Sequence, residues 1–214
     1  MVKVFLSPSN QVANKYAYGN TNESVQCKKI ADACKNYLIK NGIDAQIGHN
    51  ISLENKCIVS NQWGADLHVC IHTNASNGKV TGTRIFSYDK DGQSYKACKA
   101  VFDVLAPITP GNSESVTPYP TLYEIKNTKA PAVYIEVEFH DNADAAKWII
   151  ENTTQIGEAI AIGIMRYFGI KVETPTTNTL YKVQVGAFGS KTNAETFLKT
   201  VKAAGFKDAY ITTK

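Results

Sequence analysis

The chain lacks any uninterrupted apolar run approaching the roughly 20 residues that a bilayer-spanning helix needs, so membrane insertion is not expected. It has no Cys-x-x-Cys pair, and its five cysteines (Cys27, Cys34, Cys57, Cys70 and Cys98) are odd in number. Both facts argue against a disulfide framework and against a cysteine zinc knuckle. Cys27 and Cys34 stand seven apart on an expected helix, where both can face a core as small hydrophobes. No Lys/Arg-rich run concentrates the net charge of +4, so nucleic acid is not an expected partner. A mild positive excess still favours anionic polymers. No secretion signal is visible, because the opening apolar stretch is shorter than a signal core and breaks at Pro8. The expectation is synthesis in the cytoplasm, with any action outside depending on lysis or signal-independent release.

What is present suits one medium domain with a small appendage: 214 residues, 43% hydrophobic and 20% charged. Strands are expected at Val2–Leu6, Ile43–Ile47, Ala65–His72, Gly82–Tyr88 and Ala132–Phe139. A helix is expected from Glu23 to Lys40, capped by Asn22 and by Asn41-Gly42, with Val25, Ile30, Cys34, Leu38 and Ile39 as its apolar stripe. Further helices are expected at Leu53–Trp63, at Ser94–Leu105, and from Asp144 to Phe168 with a break near Asn152. Pro107 to Pro120 reads as an ordered loop. Strands alternating with helices predict an α/β fold, with a central mostly parallel or mixed sheet flanked by helices.

Composition shifts at Val172, where Val-Glu-Thr-Pro-Thr-Thr-Asn-Thr has no apolar periodicity. The expected organisation is a domain over 1–170, a linker over 171–179 and a small βαβ unit over 180–214. In that unit Tyr181–Val185 and Phe206–Thr212 are the expected strands and Asn193–Ala204 the helix. So small a piece buries little alone.

Three residues stand at the ends of expected core elements. Glu23 opens a helix, His72 closes a buried strand, and Glu136 lies near the C-terminal end of another. Ligands of open α/β sheets gather outside the carboxyl ends of strands. A carboxylate and an imidazole there suit zinc, with a second carboxylate to take a proton from an attacking water. Each also has a structural reading. Glu23 can serve the positive helix terminus, and His72 can be a hydrogen-bonded strand-end histidine. Glu136, inside Tyr-Ile-Glu-Val-Glu-Phe, needs a partner or a metal in either case.

The stretch Ala-Asp-Leu-His-Val-Cys-Ile-His-Thr-Asn-Ala, followed by Gly82-Thr83-Arg84, resembles the histidine motif of the zinc N-acetylmuramoyl-L-alanine amidases. Asn22-Glu23 with Ile30-Ala31 resembles that family's glutamate-ligand helix. Pro131 to Glu136, with Phe139 to Asn142, resembles its catalytic-glutamate strand. The likeness runs from Val2 to about Gly169. It implies zinc ligands at Glu23 and His72, Glu136 as general base, and Asn74 as a substrate contact. The implied substrate is peptidoglycan, cut at the amide between N-acetylmuramic acid and L-alanine by an endolysin, autolysin or sporulation enzyme.

Two positions depart from that pattern. Asn10, in Ser7-Pro8-Ser9-Asn10-Gln11, stands where the family carries its first zinc histidine, and asparagine is a weak zinc ligand. His140 is the expected substitute, because residues 136, 138 and 140 share a face of a regular strand. His68, Asn10, another residue or extra waters are the alternatives. Glu138 stands where the family has glycine; it is expected to couple to Glu136, to orient His140, or to sit in a strand-end salt bridge. A non-catalytic wall-binding module, left by loss of the first histidine, is the alternative function.

Tyr181 to Phe188, Asn193-Ala-Glu and Ala204-Gly-Phe206 resemble the first half of the SPOR repeat, a peptidoglycan-binding family. The likeness implies a sugar-stacking surface of Tyr181, Gln184 and Phe188, which as ordinary residues would be core and edge.

Overall fold

A computed structural model describes residues 1–171, 184–206 and 209–212. The chain divides into two compact units, Met1–Val172 and Glu173–Lys214. The first unit is built on a six-stranded sheet. Its strands are β1 (Lys3–Pro8), β2 (Asp44–Ile47), β3 (Leu67–Asn74), β4 (Arg84–Ser87), β5 (Ser115–Pro118) and β6 (Ala132–Phe139), in the spatial order β2-β1-β3-β6-β4-β5. Neighbours run parallel except β4 against β6, so the sheet is mixed and mostly parallel. The helices are α1 (Glu23–Lys40), α2 (Leu53–Trp63), α3 (Gln93–Leu105), α4 (Tyr123–Asn127), α5 (Ala143–Glu151) and α6 (Thr153–Tyr167).

Side-chain alternation along the strands sorts the residues into two faces. Leu67, Val69 and Ile71 of β3 join Val133, Ile135 and Val137 of β6 in one apolar cluster with α1, α3 and α6. His68, Cys70 and His72 take the opposite face, where α2 and α4 supply a thinner cover.

The apolar layer is closed by helices in close contact. On α1 the fully buried residues are Cys27, Ile30, Ala31, Cys34 and Leu38, whereas Val25 and Ile39 are 43% and 50% exposed. The buried stripe is therefore rotated from the expected one, toward the small side chains. Gly157 of α6 explains why. A Cβ there would lie 2.5 Å from the Ile30 carbonyl oxygen and 2.6 Å from the Ala33 methyl. Small residues on both helices let the backbones meet.

Two elements were not expected from the sequence. β5 lies inside the proline-rich stretch and pairs with β4 as the sheet's edge. The five residues of α4 are too few to display helical periodicity.

In the second unit, α7 (Lys191–Ala203) occupies the expected helical position. The strand expected over Phe206–Thr212 does not form among its described residues, and Gln184 and Val185 lie in no strand either. Residues 181–183 of the other expected strand, and residues 172–179 of the expected linker, lie outside the described residues. Phe188 packs its ring 5.2 Å from that of Phe197.

Replacing Gly157 by valine drives a side chain into the Ile30 backbone, which cannot yield as a flexible side chain would. The expected cost is about 1–3 kcal/mol, read as a lower urea midpoint with an unchanged slope.

Candidate active site

His72 and Glu136 are paired residues of the adjacent strands β3 and β6, so their side chains leave the same face side by side. The Tyr134 ring stacks on the His72 imidazole at 4.6 Å and fixes its plane. Glu23 reaches them from the start of α1. Asn22 caps that helix by accepting the Val25 N–H, and the positive end of the helix favours a carboxylate in its first turn. Glu23 Oε1 lies 2.9 Å from His72 Nδ1, and Asn14 Nδ2 donates to Glu23 Oε2 at 2.6 Å. Burial by itself would raise the Glu23 pKa. The bonds from His72, Asn14 and Ser9 outweigh it and hold the carboxyl below its usual range. Glu136 is shifted the other way, pushed up to about 8 by burial and then by the negative charge of Glu23. His72 Nε2 and Glu136 Oε2 are both buried without a hydrogen-bond partner among the described residues. Beside them opens a cleft of about 410 Å³, lined by Asn10, Gln11, Leu53, Lys56, His72 and Tyr134 among others.

The structure thus brings Glu23, His72 and Glu136 together. It does not bring His140 to them. The pairing of β3 with β6 slips between His72 and Asn74, so that Asn74 faces Phe139. One extra residue on β6 breaks the alternation that would have set residue 140 on the face of residue 136. His140 Nδ1 instead lies 2.9 Å from the Thr73 carbonyl oxygen and 3.0 Å from Thr73 Oγ1, and its ring stacks on Tyr16 at 5.3 Å. Its backbone carbonyl accepts the Ala17 N–H. His140 therefore fastens the polar loop between β1 and α1.

Asn10 is also committed elsewhere. Its Nδ2 donates to the Ile51 carbonyl at 2.6 Å, and its Oδ1 accepts the Asn50 N–H at 3.0 Å. It clamps the loop after β2, where Asn50 has a φ of 59°.

Glu138 neither couples to Glu136 nor orients His140. Fully buried, it accepts the Gly82 N–H at 2.7 Å and the Phe139 N–H at 3.2 Å through Oε2. It is no salt bridge; it ties the Gly82 turn to the end of β6. Asn74 ends β3, with its Oδ1 accepting the Ala75 N–H, and is not among the residues lining the cleft. His68 lies deeper on β3, bonded to Ser60 and Glu124.

Sequence reasoning missed Glu124, Lys56 and Tyr134. Glu124 is 1% exposed and accepts from Ser7 Oγ at 2.5 Å. Lys56 is 3% exposed and donates to the Pro8 carbonyl at 2.6 Å. A charged residue inside a short apolar context, as in Leu-Tyr-Glu-Ile, was the available signal, but α4 itself was not discernible. In the second unit, Gln184 bonds to Gly186 and Phe188 leans on Phe197; Tyr181 lies outside the described residues.

Comparison with known proteins identifies the family. The family model described as N-acetylmuramoyl-L-alanine amidase matches residues 8–166, and that of the SPOR domain matches residues 131–213. A sporulation-specific N-acetylmuramoyl-L-alanine amidase of Bacillus subtilis (strain 168) is 27% identical over 217 aligned positions, covering 96% of this chain and 83% of the relative. Among solved structures, an N-acetylmuramoyl-L-alanine amidase from Clostridium difficile 630 superposes with a TM-score of 0.72 at 23% identity, over 80% of this chain and 98% of that one. The catalytic domain of CwlV, from Bacillus (Paenibacillus) polymyxa var. colistinus, superposes with a TM-score of 0.71 at 21% identity, over 80% of this chain and all of that one. With the family model spanning most of the first unit, and Glu23, His72 and Glu136 gathered at its strand ends, the chain belongs to the N-acetylmuramoyl-L-alanine amidase family.

Proposed function

We propose that this chain cuts peptidoglycan between N-acetylmuramic acid and L-alanine with the help of a divalent cation, zinc by the chemistry of its donors. The observation that carries the reading is the pair of buried, unpartnered atoms, His72 Nε2 and Glu136 Oε2, beside the Glu23 carboxylate. Buried polar atoms without partners are costly, and a cation with its bound water would satisfy both. Asn10 and His140 are engaged elsewhere, so Glu23 and His72 would be the side chains that hold the ion. This removes His140 as third ligand.

A divalent ion there supplies a Lewis acid for the scissile carbonyl and lowers the pKa of the attacking water. Glu136 takes that water's proton and returns it to the leaving nitrogen of L-alanine. Burial and the charge of Glu23 push the Glu136 carboxyl up to about 8, a range suited to taking a proton from water near neutral pH; a cation held by Glu23 would weaken the second of these causes. Tyr134 holds the His72 ring, and Leu53 and Leu122 wall the cleft. The SPOR-like segment would retain the enzyme on wall glycan. Asn10's commitment to the Asn50 loop favours one other reading, a wall-binding module without catalysis.

Three outcomes test the proposal. Purified chain is expected to release L-alanine amino termini from cell walls, to stop after chelation and to resume with zinc; wall binding without amine release or bound metal establishes the module instead. In Glu136→Gln, turnover is expected to fall by roughly 10²–10⁴, with metal content and melting temperature retained; undiminished turnover removes Glu136 as the base. Asn10→Ala separates clamp from ligand. It is expected to keep its metal, to lose about 1–3 kcal/mol of stability, and to exchange the Asn50 amide faster. Loss of the metal in that variant would make Asn10 a ligand.

A further inference from the structure

Deeper along β3, on the face that carries His72, lies a second cluster. His68, Cys70 and Glu124 are the one trio among the described residues whose ligand atoms all lie within 4.8 Å of one another, and all three are buried. We propose that these residues form a second metal site, for zinc or a similar thiophilic divalent ion, separate from the Glu23–His72 pair and independent of the proposed catalysis.

The donor types select the ion. Imidazole nitrogen, thiolate sulfur and carboxylate oxygen are the ligands of zinc, whereas calcium and magnesium require oxygen. The surroundings match what a metal ligand needs. A ligating histidine is held through its other ring nitrogen; His68 Nδ1 lies 3.0 Å from Ser60 Oγ, which leaves Nε2 directed at Glu124 Oε2, 2.9 Å away. A ligating carboxylate is itself hydrogen-bonded; Ser7 Oγ donates to Glu124 at 2.5 Å. The Phe5 ring covers the His68 imidazole at 5.3 Å and excludes water from that side.

Hydrogen bonding alone leaves this cluster incomplete. Glu124 Oε1 is buried and has no hydrogen-bond partner among the described residues. Cys70, fully buried, brings its sulfur to the same spot. Binding zinc releases the Cys70 proton to solvent. Entry of the dication and loss of that proton add one positive charge, which makes the ion with one thiolate and one carboxylate neutral beside the buried Lys56. Glu124 also lines the open cleft, which gives an ion a way in.

The test uses the full chain, stripped of metal and titrated with Co²⁺. Bonding of Co²⁺ to a thiolate gives a near-ultraviolet charge-transfer band that the sulfur-free Glu23–His72 pair cannot produce. The band is expected in the wild type, absent in Cys70→Ser, and retained in Cys57→Ser and Glu23→Gln. A wild type that binds Co²⁺ without the band, or a band that survives Cys70→Ser, overturns the site. Should Cys70→Ser fail to fold, His68→Gln replaces it with native mass spectrometry as readout. Bound zinc is expected to fall by one equivalent from wild type to this variant, and an unchanged stoichiometry overturns the proposal.

Discussion

The register of β3 against β6 is the constraint on which the site depends. With His72 opposite Glu136, an imidazole and a carboxylate are fixed as neighbours by backbone hydrogen bonds, before any side chain chooses a rotamer. A slip of one strand by one residue would send its member of the pair into the apolar layer beneath α1, α3 and α6. The buried valines and isoleucines of these strands oppose that slip, since their burial demands the present alternation. The same apolar packing that stabilises the domain thus aims its chemistry.

The register ends just past the site. The irregularity after His72 turns Thr73 and His140 toward each other, and Tyr16 joins them through its stacked ring and a 3.0 Å bond from its hydroxyl to Thr73 Oγ1. The loop between β1 and α1 is anchored there. From the loop's middle Asn14 reaches Glu23, and from its start Asn10 holds the next loop over. Asparagines, a threonine and a histidine that contact no reacting group keep the Glu23 carboxylate in place.

Much of this was legible in the sequence, for identifiable physical reasons. The α/β class and long elements such as α1 and β6 follow from apolar periodicity, because burial acts on every residue of an element. Glu23, His72 and Glu136 stood out because their polarity interrupts core elements at strand or helix ends. His140 was misread because a one-residue irregularity leaves no mark in composition, yet it reverses which face a side chain takes. The rotated stripe of α1 was missed because Cys27 and Ala31 look weakly hydrophobic alone, and the sequence does not show that α1 meets α6 closely where Gly157 faces Ile30, Ala33 and Cys34. Glu124 was missed because its partners, Ser7 and His68, are 117 and 56 residues away.

The outer strands have a consequence for how the molecule behaves in company. β2 and β5, the two ends of the sheet, are four residues each, and β5 finishes on Pro118, which has no N–H to offer. A neighbouring molecule looking for a strand to extend finds only a short stretch of free backbone on either side, too little to hold a growing stack. A protein dense with buried valine and isoleucine strands is thereby kept from polymerising through them, however crowded its surroundings.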